Sequence, residues 1–399
     1  MKWLPGLLAI MIMVNSAHAL QDYPKPFTSS VGSWSNIEIS KNGRYIANGT
    51  GSVIFDQKEN NTINPDVSIG NFMTTHGFSL SEDGNYIAFT PQNASKDIDT
   101  ESDQDSQFID VYLRDIKNQE TILVSAPNDP ELTANGRSLN PQVSRNGQFV
   151  VFMSEANNLT DDKNVPSGNA TKANLYIYDR NNDKVSHLAS DYKGYKSTSS
   201  GSFPNISEEG RFVLYDSTSS NTPSTLIDRS TGKSTNIESK TGVTATVTHS
   251  ELSSDGRYAL IQHHYHTANQ ARLQLFDRKT GKNEIVSVPT DDKNKQIKVP
   301  TTPLRTTQFD LSGNGRYIAF SSSSNGISED SDNNLKDVFV YDRNEHEVKR
   351  INVNKNNERL NPSNVSVSIS EDGHYVTFNN YVVKNPLFDA GYCESFQSF

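Results

Sequence analysis

Ser312-Gly313-Asn314-Gly315-Arg316-Tyr317-Ile318-Ala319-Phe320 decides the fold, because its pattern recurs. The form Ser-x-(Asp/Asn/Glu)-Gly-x-(Tyr/Phe) begins at Ser40, Ser81, Ser144, Ser207, Ser253, Ser312 and Ser370. Successive motif glycines lie 41 to 63 residues apart, so one core unit carries loops of different length. Alternating residues before the serine, such as Val365, Val367 and Ile369, predict a first strand. The Asp-Gly, Asn-Gly or Glu-Gly step predicts a tight reversal, since glycine takes positive φ without steric cost. Second strands follow at Tyr86–Phe89, Phe149–Phe152 and Tyr317–Phe320, and third strands end in Asp-Arg at Leu175–Asp179, Leu273–Asp277 and Val338–Asp342. A further turn, Ser230-Thr231-Gly232-Lys233, leads to a fourth strand of the kind expected at Glu284–Val288. This grammar predicts an all-β β-propeller of seven four-stranded antiparallel blades, with six or eight as alternatives. One such sheet cannot bury both faces alone, whereas radial stacking covers them. The first repeat fits worst, because Ile46-Ala47-Asn48-Gly49 lacks the usual aromatic. In the last, a third strand is expected near residues 386–389, and the segment 20–30 is expected to supply the missing partner.

Composition narrows the function. The chain has 399 residues, 33% apolar and 21% charged, with 16 Tyr and 18 Phe, which suits many short half-buried strands. A net charge of −10 disfavours nucleic acid and anionic membranes as partners. Lys2, the apolar run Leu4–Val14 and Ala17-His18-Ala19 read as a signal peptide over residues 1–19, leaving 20–399 as a single propeller domain. No transmembrane segment is expected after it. Cys393 is the single cysteine, so no internal disulfide forms. A periplasmic or secreted monomer is the expectation.

The phrases Ser81–Phe89, Ser312–Phe320 and Val338–Arg343 resemble the TolB-type propeller repeat of exported bacterial proteins, and the resemblance covers nearly all of the mature chain. It implies a stand-alone propeller without the mixed α/β domain that precedes the repeats in TolB. Propellers host many roles, so the resemblance speaks for fold. A prolyl-oligopeptidase-type enzyme is disfavoured because no Gly-x-Ser-x-Gly elbow occurs. A sialidase is disfavoured because the motif lacks that family's spacing and its tryptophan.

Chain reversal at each strand places the motif turns and the third-to-fourth turns on one rim and the long loops on the other, where binding is expected. Two long loops repeat one spacing of oxygens: Asp103, Asp105 and Asp110, and Asp330, Asp332, Asn334 and Asp337. Alternating carboxylate and amide oxygens suit Ca²⁺, although neither run has the EF-hand glycine or terminal glutamate. Solvated acidic loops are the plain alternative. Of His263, His264 and His266, alternation lets two share a face, short of a three-ligand zinc set. Interior histidines are expected there. The pairs Asp179-Arg180, Asp228-Arg229, Asp277-Arg278 and Asp342-Arg343 recur in one slot and read as turn anchors. The function expected is a non-catalytic exported propeller binding a protein or envelope ligand through its long-loop rim. The alternative is a carbohydrate-active hydrolase or lyase at the channel mouth, favoured if carboxylates or histidines converge there.

Overall fold

The structure, a computed structural model, describes most of the chain between residues 25 and 388. Residues 1–24 and 389–399 and several long loops, among them 64–77, 92–107, 194–203, 299–307 and 328–335, lie outside the described residues. The described residues form seven antiparallel sheets of four strands, one around each motif, and one separate two-stranded hairpin. The first repeat does fold, as Ile37–Ile39, Tyr45–Asn48, Ile54–Asp56 and Asn61–Ile63.

Two strand assignments are corrected. Around the last motif the third strand is Tyr381–Lys384, not residues 386–389. Asn379, at φ 50°, reverses the chain directly after Phe378, and Pro386 has no N–H for a ladder. The expected closure holds, in that Lys25–Pro26 adds the outer strand with Lys25 opposite Val382 and Pro26 opposite Tyr381. The stretch Glu284–Val288 is split. Lys282–Ile285 completes its sheet and Val286 N–H still reaches Leu273 O, whereas Ser287–Pro289 pairs with Gln296–Lys298.

The motif serine shapes the turn from inside. Its Oγ accepts from the aromatic's N–H five residues on, as in Tyr86 to Ser81 at 3.0 Å and Tyr317 to Ser312 at 2.9 Å. The same hydroxyl donates to the turn's Asp or Asn, for example Asp83 at 2.6 Å and Asn314 at 2.9 Å.

The motif glycine does more than turn. A Cβ on Gly84 would stand 2.2 Å from the Tyr45 ring of the preceding repeat. The relation repeats for Gly147 on Tyr86, Gly210 on Phe149, Gly256 on Phe212, Gly315 on Tyr258 and Gly373 on Tyr317, and it ends with Gly43 on Tyr375. Each repeat therefore seats its neighbour's aromatic, and the last seating joins first to seventh. The Asp-Arg pairs support the same contact. Asp179, Asp228, Asp277 and Asp342 each accept a turn N–H, as expected of anchors. Their arginines lie over the preceding repeat's aromatic: Arg180 over Tyr86, Arg229 over Phe149, Arg278 over Phe212 and Arg343 over Tyr258, at 4.0 to 4.6 Å. Apolar clusters likewise span adjacent sheets, such as Leu260 and Leu273 with Phe320 and Phe339.

Candidate functional site

The innermost strands converge on the ring axis, so the chemistry there depends on which of their residues are polar. Two residues before each motif serine stands a polar one: Glu38, Ser79, Gln142, Asn205, Glu251, Asp310 and Ser368. Several clip one sheet to the next. Ser79 Oγ accepts from Val143 N–H at 3.2 Å, Asn205 Nδ2 donates to Ser250 O at 2.7 Å, and Asp310 Oδ2 accepts from Ser368 Oγ and Ile369 N–H at 2.8 Å.

One residue after the serine, the motif turns meet around the axis. Glu82 N–H donates to Arg145 O, Glu208 N–H to Ser254 O, Ser254 N–H to Gly313 O and Gly313 N–H to Glu371 O, at 2.8 to 3.0 Å. A ring of seven backbones about 5 Å apart would be only about 11 Å across, which side chains can fill. Arg145 fills it. Its guanidinium pairs with Glu82, with Glu208 at 2.7 Å and with Glu371 at 3.0 Å, joining residues as far apart in sequence as Arg145 and Glu371. Gly313 makes room, since a Cβ there would fall 1.9 Å from Glu371 Cγ. Burial opposes the charge on Arg145, but Glu82, Glu371 and Glu208 outweigh it and raise its pKa. Carboxylates do converge at this mouth, each on the guanidinium.

Further along the axis His249 and Glu251 share a face of the innermost strand Ala245–Leu252, with Nε2 2.9 Å from Oε1. The His249 ring meets Phe309 edge-on at 4.9 Å. Burial disfavours its proton, yet Glu251, Asp216 and Asp310 overcome that and raise its pKa. Sequence reasoning passed over His249 and Arg145. The polar residue two before every motif serine, set among apolar neighbours such as Leu80, Leu252 and Leu311, signalled the inner wall that holds Glu251, but it names neither of them.

The residues singled out from sequence fall elsewhere. Asp337 opens the third strand Asp337–Asp342 and Asp110 lies two residues ahead of Tyr112–Asp115, and both are buried. Ser125 Oγ donates to Asp110 at 2.6 Å, and Asn352 Nδ2 and Arg359 Nε donate to Asp337 Oδ1 at 2.9 and 2.8 Å. Asp103, Asp105, Asp330, Asp332 and Asn334 lie outside the described residues, as does His266. Among the described residues no group of three His, Cys, Asp or Glu could hold a metal ion. Among them, too, no helix is long and apolar enough to cross a membrane. His263, opposite Val247 and Arg272, is an interior residue at 2% exposure.

Burial pushes the His263 pKa down to about 4. A histidine with a lowered folded pKa contributes stability that is whole above pH 6.5 and is lost as pH falls through about 4. The full loss is about 3 kcal/mol at 1.36 kcal/mol per pH unit. Urea titrations at pH 7 and pH 4 should therefore show a smaller acid-induced loss, by up to that amount, in His263→Gln than in the wild type. An equal loss in both proteins would refute the assignment.

No family model matches this chain, and no curated protein matches it in sequence. Solved structures do. An oligogalacturonate lyase in complex with manganese aligns with a TM-score of 0.57 at 11% identity, over 92% of this chain and 98% of that one. The chain is a β-propeller. TolB from Acinetobacter baumannii aligns with a TM-score of 0.44 at 13% identity over 80% of this chain, which spans 64% of that protein. A protein described as TolB from Agrobacterium tumefaciens aligns with a TM-score of 0.40 at 13% identity, over 63% of this chain and 79% of that one. At these identities the likeness to the lyase is one of fold, and the sheets described above are blades.

Proposed function

We propose that this chain is an exported, non-catalytic propeller of seven blades that binds a protein or envelope ligand at its long-loop mouth. The observation that carries the reading is the filled opposite mouth. Arg145 and its three glutamates occupy the axis there, and backbone hydrogen bonds draw the surrounding turns together. Among the described residues, this cluster bars a ligand from entering along the axis at the tight-turn mouth. The converged glutamates are all engaged by one guanidinium, which commits their oxygens to Arg145.

The test uses the mature chain, residues 20–399, as bait on envelope fractions. Capture of a partner should be lost when Leu132→Asp, the exposed apolar side chain in the link to the third blade, is combined with Asn157→Arg. It should persist with Lys233→Glu on the tight-turn rim. The reverse pattern would place binding on the wrong rim. Export predicts that the chain recovered from the periplasm begins at Leu20, which N-terminal sequencing reads directly.

Ca²⁺ at the Asp103–Asp110 and Asp330–Asp337 loops belongs to the same proposal. An ion at a hundred times its dissociation constant stabilises by about 2.7 kcal/mol. Melts in EDTA and in millimolar Ca²⁺ should then differ, and the difference should shrink with Asp330→Ala and Asp332→Ala together and vanish when Asp103→Ala and Asp105→Ala are added. Identical melts in the wild type would remove the ion from the proposal.

The second reading, a lyase acting on an acidic polysaccharide, draws on His249 and Glu251 in the channel wall, a paired base and acid. Incubation with oligogalacturonate and Mn²⁺, followed by the ultraviolet absorbance of unsaturated product, tests it. We expect no product.

A further inference from the structure

We propose that a cleft on the tight-turn rim, between the fifth and sixth blades, binds the anionic oxygens of a small ligand, a carboxylate or phosphate group. This site lies on the rim opposite the long-loop mouth and goes beyond the reading above.

The first observation is the cleft and its donors. It measures about 250 Å³ and is lined by Tyr258, Leu275, Thr280 and four charged side chains. Two of these, Asp277 and Glu284, are carboxylates that already have partners. Arg257 donates to both oxygens of Asp277 at 3.0 and 2.9 Å, and Lys279 N–H adds a bond of 2.9 Å. Lys282 Nζ stands 2.6 Å from Glu284. Arg343 is left over. Its guanidinium lies over the Tyr258 ring at 4.6 Å and donates to Gly315 O. Among the described residues no carboxylate comes within ion-pair distance of it. Three cations, Arg257, Lys282 and Arg343, therefore meet two carboxylates. A guanidinium carries five N–H donors in a planar fork that matches carboxylate and phosphate oxygens, and stacking on a ring fixes that fork in advance.

The second observation is a break in the repeat. Between third and fourth strands, the first, second, third and sixth blades place an acid in the turn or just after it, at Glu59, Glu120, Asp183 and Glu345. The fourth and fifth blades place none there. Both read Thr-Gly-Lys instead, at Thr231–Lys233 and Thr280–Lys282, and the fifth adds Lys279. In a chain of net charge −10 this stretch runs against the average. The turn also borders open space, since a Cβ on Gly281 would meet nothing within 4 Å. Structural anchors keep the symmetry of the repeats, as the Asp-Arg aspartates do, whereas sites depart from it.

The two observations select the ligand. A cation gains little from carboxylates that are already paired. An apolar body alone would cover Arg343 without giving it a partner, which is costly. An oxyanion on a short apolar body answers Arg343 and packs toward Leu275, itself 3% exposed.

The experiment is calorimetric titration of residues 20–399 at pH 7 and low salt with butyrate and with inorganic phosphate. Butanamide is the neutral control. At least one oxyanion should bind at one site and butanamide should not, and the tighter of the two tells a carboxylate source from a phosphate source. Arg343→Gln should weaken binding about tenfold or more, as loss of charge-assisted hydrogen bonds does, and Lys282→Gln several-fold. Lys58→Gln, in the corresponding turn of the first blade, should change nothing. Near-ultraviolet circular dichroism checks that each variant is folded. Arg343→Lys, which keeps the charge and loses the fork, serves if Arg343→Gln is not. Absence of binding by both oxyanions overturns the proposal. So does wild-type affinity in the Arg343 and Lys282 variants, which would place the anion elsewhere. Butanamide binding as strong as that of butyrate would show an apolar cleft and overturn it too.

Discussion

Gly256→Ala will destabilise the propeller by about 2–5 kcal/mol, whereas Gly232→Ala will cost only about 1–2 kcal/mol. Both glycines have positive φ, +64° and +69°, so both substitutions carry the left-handed strain of an L-residue. They differ in surroundings. A Cβ at Gly232 meets nothing within 4 Å, but at Gly256 it would lie 2.2 Å from Phe212 Cδ2. Phe212 cannot step aside, because it is buried and held between Arg211 at 4.7 Å and Arg278 at 4.0 Å. The excess, about 1–3 kcal/mol of overpacking, is the part due to the neighbouring blade. Urea unfolding followed by circular dichroism measures it. Equal losses for the two glycines would show that the motif glycine serves its own turn and nothing more. Phe212→Leu in the Gly256→Ala background should recover part of the loss by opening space.

Arg145→Leu should cost about 2–4 kcal/mol at neutral pH, by removing the only cation that Glu82, Glu208 and Glu371 share among the described residues. The figure lies below that for a fully buried pair because the four side chains remain 11 to 36% exposed and solvent screens them. The sign of the pH response follows from the repulsion left behind. Three facing carboxylates bind protons more readily folded than unfolded, so the variant's deficit should shrink as pH falls toward 4. Glu371→Gln on top of Arg145→Leu should restore stability by removing one of the three charges. If Glu371→Gln adds to the loss instead, the cluster does not act through charge. Arg145→Lys should fall between the two, since one ammonium cannot reproduce a guanidinium's fork of donors.

The strand grammar was legible because it is local. Ser312 to Tyr317 and the matching stretches carry turn chemistry within six residues, and alternation on either side marks the strands. Even the doubtful first repeat folded, with Ile46 and Ile54 buried in its second and third strands. The strand limits that failed, near Pro386 and Val288, lie where no motif constrains the ladder. Spacing picked out Asp110 and Asp337, but only the fold shows that their oxygens also receive Ser125, and Asn352 and Arg359.

Sequence by itself determined the repeat, the tight turn at each motif glycine and the anchoring role of the Asp-Arg aspartates, because each depends on residues close along the chain. Only the tertiary structure decided why those glycines admit no side chain, where the arginines of the same pairs point, and which residues meet at the axis. Gly256 and Phe212, Arg278 and Phe212, and Arg145 and Glu371 belong to different repeats. Contacts between repeats depend on the order and rotation of whole blades about the axis. No window of sequence contains that rotation, so residues of unremarkable type, such as Glu371 and His249, acquire their chemistry only when the ring closes.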